Sequence, residues 1–180
     1  LDGIINNAGI GVFTPTLDRT VEVFKSVMKM LGADNKAKNP DNTFLLLSSI
    51  GYVPQNVNLI AGIIKENITF GLGCDEERID DVISSLGLGK LGERDDVIGT
   101  FGKGVSGGEK QRIGLARCIY ANSQVIFMDE PSASLDLKAK RLIVDVVAGP
   151  KKSGIAFVII THSDAFDKIS TNIVSLEGAK

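Results

Sequence analysis

Short runs of apolar residues, separated by stretches with apolar positions at helical spacing, divide the first part of the chain. Leu1–Ile5 and Thr43–Leu47 are predicted strands, and Thr20 to about Leu31 is a predicted helix with one apolar face. The Gly- and Pro-containing stretch Gly9–Pro15 and the polar stretch Ala33–Asn42 are predicted loops. Together they predict a strand–helix–strand unit, most simply parallel and right-handed.

The remainder of the chain continues the alternation of helical and buried-strand patterns. Strong apolar runs predict buried strands, and amphipathic stretches between glycines predict helices. The predicted helices are Glu76–Leu86, Gly108–Tyr120 and Leu137–Val147, the strands are Val125–Met128 and Ile155–Ile160, and Tyr52–Gln55 is a turn. This order of elements predicts an α/β fold with a parallel sheet.

Composition narrows the class of protein. The chain has 180 residues, of which 43% are hydrophobic, which is enough for one domain or one domain with a small subdomain. A net charge of -2 gives no electrostatic reason to expect nucleic acid as a partner. The two cysteines, Cys74 and Cys118, have no paired spacing, so neither a metal site nor a disulfide framework is predicted. No apolar segment reaches the length of a membrane span.

A Ser-Gly-Gly-Glu motif at Ser106–Glu109 precedes the helix predicted to end at Tyr120. Ser106 can cap that helix and Glu109 can complete a capping box. The glycines let an anion approach the backbone, and the positive end of the helix suits a phosphate. Taken alone, the motif predicts a phosphate site and an ordinary capped helix equally well.

Two carboxylates, Asp129 and Glu130, follow the buried strand Val125–Met128. Open α/β sheets place their sites at the carboxyl ends of strands. Asp129 would hold Mg²⁺ directly or through water, and Glu130 would polarise an attacking water. The alternative is a strand that ends in charge before the turn at Pro131.

Two weaker signals follow downstream. Ser134-Leu135-Asp136 is only a turn when taken in isolation. His162, the sole histidine, comes directly after a buried strand and could bind a γ-phosphate or position a water, although a lone histidine is more often structural.

The order of the motifs carries more information than any one of them. Ser-Gly-Gly-Glu-Lys-Gln-Arg, then Asp-Glu-Pro, Ser-Leu-Asp and Thr-His-Ser, resembles the ATP-hydrolysing domain of ABC transporters. The resemblance extends to Tyr52–Gln55, which is similar to the family's glutamine loop, and covers about residues 51–180. It implies that Gln55 contacts Mg²⁺ and the attacking water and couples the site to a membrane domain.

The same resemblance implies the remaining properties. The cofactors are ATP and Mg²⁺; Glu130, His162 and Gln55 are catalytic; Asp129 and Gln55 bind the metal; and Ser106, Gly107, Gly108, Glu109 and Asp136 bind the nucleotide. The fold is a P-loop-NTPase-like parallel-sheet core with a helical subdomain at about 56–104. The partners are a transporter membrane domain and a second ATP-binding domain in a head-to-tail dimer, and the location is the cytoplasmic side of a membrane.

One family motif is missing from the sequence. No Gly-x-x-x-x-Gly-Lys-Ser/Thr phosphate loop, the Walker A motif, precedes Gln55, and the pairs Gly89-Lys90 and Gly102-Lys103 lie downstream without a following Ser or Thr. In its place, the Asn-Asn-Ala-Gly of Leu1–Ile10 and the strand with Ser48 and Ser49 resemble short-chain dehydrogenases. Residues 1–50 are therefore predicted to be a Rossmann-like strand–helix–strand unit, and the chain to be a hybrid.

Three functions follow as hypotheses. An ABC-type ATP-binding domain without a Walker A loop would turn over negligibly as a homodimer, but would keep one composite site beside a complete partner. A non-catalytic hybrid scaffold is the alternative. A dehydrogenase ranks lowest, because the chain lacks the Gly-rich dinucleotide loop and the Tyr-x-x-x-Lys pair, with Asn56 four positions after Tyr52.

Overall fold

The computed structural model describes residues 10–13, 50–92, 98, 102–133, 135–149 and 154–174. The predicted strands Leu1–Ile5 and Thr43–Leu47, the predicted helix Thr20–Leu31 and most of the Rossmann-like unit at 1–50 lie outside these residues. The division of the chain at residue 50 therefore stays a prediction.

Within the described residues, five parallel strands form one sheet in the order β2-β3-β4-β1-β5. This confirms the predicted α/β fold with a parallel sheet. The strands are β1 (Ile10–Phe13), β2 (Ile50–Val53), β3 (Val125–Asp129), β4 (Ala156–Ile160) and β5 (Asn172–Val174). All residues of β4 and the first four of β3 are buried, as expected for strands with layers on both faces.

Five α-helices accompany the sheet in the described residues. Three short ones, α1 (Ile64–Thr69), α2 (Glu76–Ser85) and α3 (Gly89–Gly92), occur between β2 and the long helix α4 (Gly107–Tyr120). The fifth, α5 (Leu137–Ala148), joins β3 to β4, and a short 3-10 helix, Asp164–Phe166, precedes β5. No helix of the described residues is long and apolar enough to cross a membrane.

Side-chain oxygens define where the longer helices begin. The hydroxyl of Ser106 accepts the N–H of Glu109 at the start of α4, and Asp75 and Asp136 accept the N–H groups of Arg78 and Ala139 at the starts of α2 and α5. Such caps satisfy backbone N–H groups that have no partner within the helix. The sequence patterns therefore predicted these three helices to within one or two residues.

The main hydrophobic core lies between the sheet and the helices on one of its faces. It contains Ile126, Met128 and Phe157 from the strands, together with apolar residues of α1, α2, α4 and α5. A second, smaller cluster holds Val125 and Val158, which alternate with those residues and project to the opposite face. The helices thus fix the strand ends relative to one another.

Two predicted irregular segments are strands. Ile10–Phe13, within the predicted loop Gly9–Pro15, is β1 and lies between β4 and β5. Tyr52 and Val53, within the predicted turn Tyr52–Gln55, are the last two residues of β2. Both predictions failed for the same reason: these strands have four residues each, contain a glycine, and are held by partners more than 70 positions away. Local patterns carry no signal of such pairing.

Candidate functional site

The carboxyl ends of the strands lie at one edge of the sheet, and the predicted catalytic residues come directly after these ends in the sequence or within two positions of them. Asp129, the last residue of β3, is in register with Ile160, the last residue of β4. Phe13 at the end of β1 is also in register with Ile160, and Val53 at the end of β2 with Met128. Parallel strands thereby bring together segments that are far apart in the sequence.

The Glu130 carboxylate is held by the segment that follows β4. The backbone N–H of His162 donates to Oε1 (3.0 Å), and the hydroxyl of Thr161 donates to Oε2 (3.2 Å). The Nε2 atom of His162 lies 3.6 Å from Oε1. The side chain of Glu130 is 15% exposed whereas that of His162 is 73% exposed, so the carboxylate is mostly enclosed and the imidazole faces outward.

The backbone of Glu130 is strained. Its φ of 43° lies in the left-handed region, which a glutamate rarely adopts. The surrounding structure holds this conformation, because the N–H of Glu130 donates to the carbonyl of Ile160 (2.7 Å) and its carbonyl accepts from Ala133 (3.1 Å). Strain of about 1–3 kcal/mol at a residue of this kind is typical of functional sites.

A tyrosine of the neighbouring strand contacts the second carboxylate. The hydroxyl of Tyr52 donates to Oδ2 of Asp129 (3.3 Å) across the β2–β3 pair. Partial burial, together with the nearby negative charge of Asp129, raises the pKa of Tyr52 above its usual value. Tyr52 therefore stays protonated and can keep donating to Asp129.

A cavity of about 600 Å³ opens at this edge of the sheet, and it is called the carboxylate cavity below. Its lining includes Gln55, Asp129, Glu130, Ser132, Lys140 and His162. The structure thus brings together all four residues predicted to be catalytic or metal-binding. The hydroxyl of Ser132 is buried and has no hydrogen-bond partner among the described residues.

The residues around the cavity fit Mg²⁺ bound together with phosphate. No group of three or more ligating side chains occurs among the described residues, so a site made of protein ligands alone is not present there. Magnesium, however, is usually held by one or two carboxylates, with phosphate oxygens and waters completing its shell. Asp129 provides one such carboxylate, and Gln55 lines the same cavity.

The Ser-Gly-Gly-Glu residues Ser106–Glu109, called the signature turn below, form the first turn of α4 and its cap. The N–H of Ser106 donates to Oε2 of Glu109 (2.8 Å), while the N–H of Glu109 donates to the hydroxyl of Ser106 (3.3 Å). This is the predicted capping box. At Gly108, an added Cβ would lie 2.9 Å from the Cβ of Ala139, so only glycine lets α4 approach α5 this closely.

The signature turn and Asp136 do not line the carboxylate cavity. Gly107 instead lines a narrow adjoining space of about 50 Å³, which Gln55 and Glu130 also border. Asp136 accepts the N–H of Ala139 (2.8 Å) as the cap of α5. The predicted nucleotide-binding residues therefore lie outside the carboxylate cavity, although Gly107 and Glu130 border the same narrow space.

Sequence reasoning missed several residues of the site. Thr161 and Tyr52 belong to motifs used in the prediction but were given no role there, and Ser132 belongs to none; all three contact or border the carboxylates. Thr161 could have been found from its position directly before His162. Lys140 lines the cavity from α5, and no local pattern indicates that a lysine of this helix reaches it.

Comparisons with known proteins agree with the resemblance. A model of the ABC transporter family matches residues 24–133, more than half of the chain. The probable microcin-H47 secretion/processing ATP-binding protein MchF of Escherichia coli is 36% identical over 71% of this chain and 19% of its own length. A putative export ATP-binding/permease protein of Rickettsia bellii is 28% identical over 98% of this chain and 32% of its own length. The chain thus spans a third or less of these relatives.

A solved structure shows the same fold. The cbiO1 protein of Clostridium perfringens, described as part of the ABC transporter complex cbiONQ, matches with a TM-score of 0.75. The match covers 95% of this chain and 74% of cbiO1, at 19% sequence identity.

These matches also bear on the first 50 residues. The family match begins at residue 24, and the Rickettsia bellii alignment covers nearly the whole chain, so both include part of the segment that resembles short-chain dehydrogenases. Neither that resemblance nor a hybrid origin is supported by the comparisons. The chain belongs to the ABC transporter family, and it carries the ATP-binding domain of that family.

Proposed function

We propose that the chain binds ATP with Mg²⁺ in the carboxylate cavity and takes part in ATP hydrolysis that drives transport. The observation that carries the proposal is the convergence of Gln55, Asp129, Glu130 and His162 on one cavity at the carboxyl edge of the sheet. Asp129 and Gln55 are the proposed metal-binding residues. Bound Mg²⁺ would neutralise charge on the phosphates during transfer.

Glu130 is the proposed base that orients and polarises the attacking water. Hydrogen bonds from Thr161 and from the His162 N–H hold the carboxylate, so little reorganisation is needed before reaction. The exposed imidazole of His162 lies beside it and can donate a hydrogen bond to a γ-phosphate oxygen. The side chain of Gln55 approaches the same cavity and is proposed to contact the water and the metal.

The signature turn is proposed to serve the ATP held by a second ATP-binding domain. Ser106, Gly107, Gly108 and Glu109 do not line this chain's own carboxylate cavity, which supports a head-to-tail dimer. Asp136 is proposed to border the nucleotide from the neighbouring turn. A transporter membrane domain is the proposed second partner, contacted through the helices between β2 and α4 at the cytoplasmic side of a membrane.

The sequence itself contains no Walker A motif, and we propose that hydrolysis therefore depends on a phosphate loop from outside these 180 residues. The strand β1 ends at Phe13, which is in register with Ile160 at the same edge of the sheet. The alternative function is a non-catalytic α/β scaffold, and the missing motif is the observation that favours it.

A metal-dependent binding measurement tests the proposal. Fluorescent ATP analogue is titrated with and without Mg²⁺ into the wild type, Asp129→Asn and the control Asp145→Asn, which changes an equivalent carboxylate on α5 outside the cavity. We expect Mg²⁺ to tighten binding by about ten-fold or more in the wild type and control, but not in Asp129→Asn. Equal Mg²⁺ dependence in all three proteins would contradict the proposed metal site.

A further inference from the structure

The side chain of Gln111 joins α4 to the irregular part of the glutamine loop, Pro54–Gln55. Gln111 is 4% exposed, and its Nε2 donates to the carbonyls of Pro54 (3.1 Å) and Gln55 (2.7 Å). The two hydrogen bonds join residues that are separated in the sequence by 57 and 56 positions, respectively. Both protons of one buried amide group are therefore used to hold the backbone at Gln55.

The orientation of this amide is fixed by its surroundings. Two carbonyl oxygens face the Nε2 atom, so a flipped amide would bring its own oxygen against two acceptors. The observed orientation has a cost, because the Oε1 atom of Gln111 is buried and has no hydrogen-bond partner in the part of the chain that the structure describes. Buried polar groups are rarely left partly unsatisfied. This supports a role for the two hydrogen bonds in holding the backbone at Pro54–Gln55.

Close packing supports the same link. At Gly114, one turn further along α4, an added Cβ would lie 2.9 Å from Cγ2 of Val57 and 3.1 Å from Cγ1 of Val53. The absence of a side chain thus lets the helix press directly on residues at either side of Pro54–Gln55. The hydrogen bonds of Gln111 and the contacts of Gly114 together join α4 and this part of the chain tightly.

The same helix begins with the signature turn. Gln111 is four positions after Gly107, little more than one helical turn away. We infer that Gln111 is a positioning residue that makes the signature turn and Gln55 move as one body. The inference rests on the proposed function, in which the signature turn contacts the ATP held by a second ATP-binding domain and Gln55 contacts the ATP held by this chain. Movement at one ATP site then changes the geometry of the other.

A fluorescent probe can test the link without nucleotide. The chain contains no tryptophan, so an Asn56→Trp substitution at an exposed position reports only on the residue directly after the loop. The probe is combined with Gln111→Met, which keeps an unbranched chain of similar length but removes both donors. The measured quantity is the amplitude of fast local motion in the fluorescence anisotropy decay of this tryptophan.

Tyr120→Phe is the matched control. Its hydroxyl also joins α4 to loop backbone, since it donates to the carbonyl of Gly73 and accepts from the N–H of Asp75, but it lies at the other end of the helix. We expect Gln111→Met to raise the amplitude of motion at least two-fold and Tyr120→Phe to leave it unchanged. Equal amplitudes in the two variants would overturn the inference. Circular dichroism checks that each is folded, and Gln111→Leu, which also lacks the donors, replaces a Met variant that does not fold.

A second comparison tests transmission along the helix. Ser106→Ala removes the cap of α4 and perturbs the signature turn. We expect it to increase the motion at position 56 when Gln111 is present and to add nothing when Gln111 is replaced by Met. Equal increments in both backgrounds would show that the link does not pass through Gln111. Because no nucleotide is present, these outcomes are independent of whether the chain binds ATP.

Discussion

Glu130 combines a strained backbone with a carboxylate that is fixed before any ligand arrives. Its φ of 43° is maintained by the backbone of β4, and its two carboxylate oxygens each have a donor from the residues that follow that strand. The geometry suits a group that must keep one orientation during reaction.

The hydroxyl of Thr161 is predicted to stabilise the site. It is buried, donates to Glu130, and accepts the N–H of Ser163 (3.0 Å). Thr161→Val has nearly the same shape but leaves both partners unpaired, so we expect a loss of about 1–3 kcal/mol in unfolding free energy. Thr161→Ser keeps the hydroxyl and should cost less in urea unfolding. If serine costs as much as valine, packing of the methyl group is more important than the hydrogen bonds.

Cys118 gives a prediction for the dependence of stability on pH. Burial raises the pKa of its thiol from its usual value of about 9 to about 11. The folded state therefore holds this proton more tightly than the unfolded chain, and the resulting stabilisation is complete below about pH 9 and lost as the pH rises towards 11. Over this range the wild type should lose on the order of 2–3 kcal/mol more than Cys118→Ala. The unfolding free energies of the two proteins are measured by chemical denaturation at a series of pH values. An equal loss of unfolding free energy in both proteins would contradict this prediction.

At the level of elements, helix caps explain why three helices were predictable from local sequence. Each begins at a residue whose side chain accepts a backbone N–H, and α4 carries the complete capping box of Ser106 and Glu109. Capping depends on residues three positions apart, so it can be identified without knowledge of the fold. The strands β1 and β2 depend on distant partners, and this is why their residues were predicted to be loop and turn.

The cap of α5 provides a prediction at this scale. Asp136→Ala removes the acceptor for the N–H of Ala139, and we expect the unfolding free energy to fall by about 1 kcal/mol. Lys138→Ala, an exposed change in the same turn, is the control and should alter stability by less than about 0.5 kcal/mol. Equal stability of the Asp136 variant and the wild type in thermal unfolding would contradict a stabilising role for this cap. The role proposed for Asp136 at the nucleotide would then be its remaining role.

At the scale of the whole molecule, the parallel sheet brings the predicted site together. The motifs at Gln55, Asp129 and His162 are separated by up to about a hundred residues, yet their strands end at one edge. The order of the motifs in the sequence was sufficient to identify the family and these side chains. It could not reveal Thr161, Tyr52 or Gln111, because their roles depend on contacts between neighbouring elements.

The separation of two surfaces on one chain is the second property of the whole molecule. The signature turn lies outside the carboxylate cavity, although Gly107 borders the narrow adjoining space, and Gln111 of α4 is hydrogen-bonded to the backbone at Gln55. We propose that an isolated copy presents two different half-sites. This arrangement is expected of a domain that works against a second ATP-binding domain.

Calorimetric titration of Mg²⁺-ATP into the Glu130→Gln variant tests the central claim most directly, because this substitution blocks hydrolysis by removing the proposed base. The account predicts saturable binding in the micromolar range that disappears when Mg²⁺ is chelated. Absence of binding up to millimolar ATP would contradict the claim that this chain binds Mg²⁺-ATP without a partner. The ABC-type fold would then serve nucleotide only beside a partner that brings its own phosphate loop.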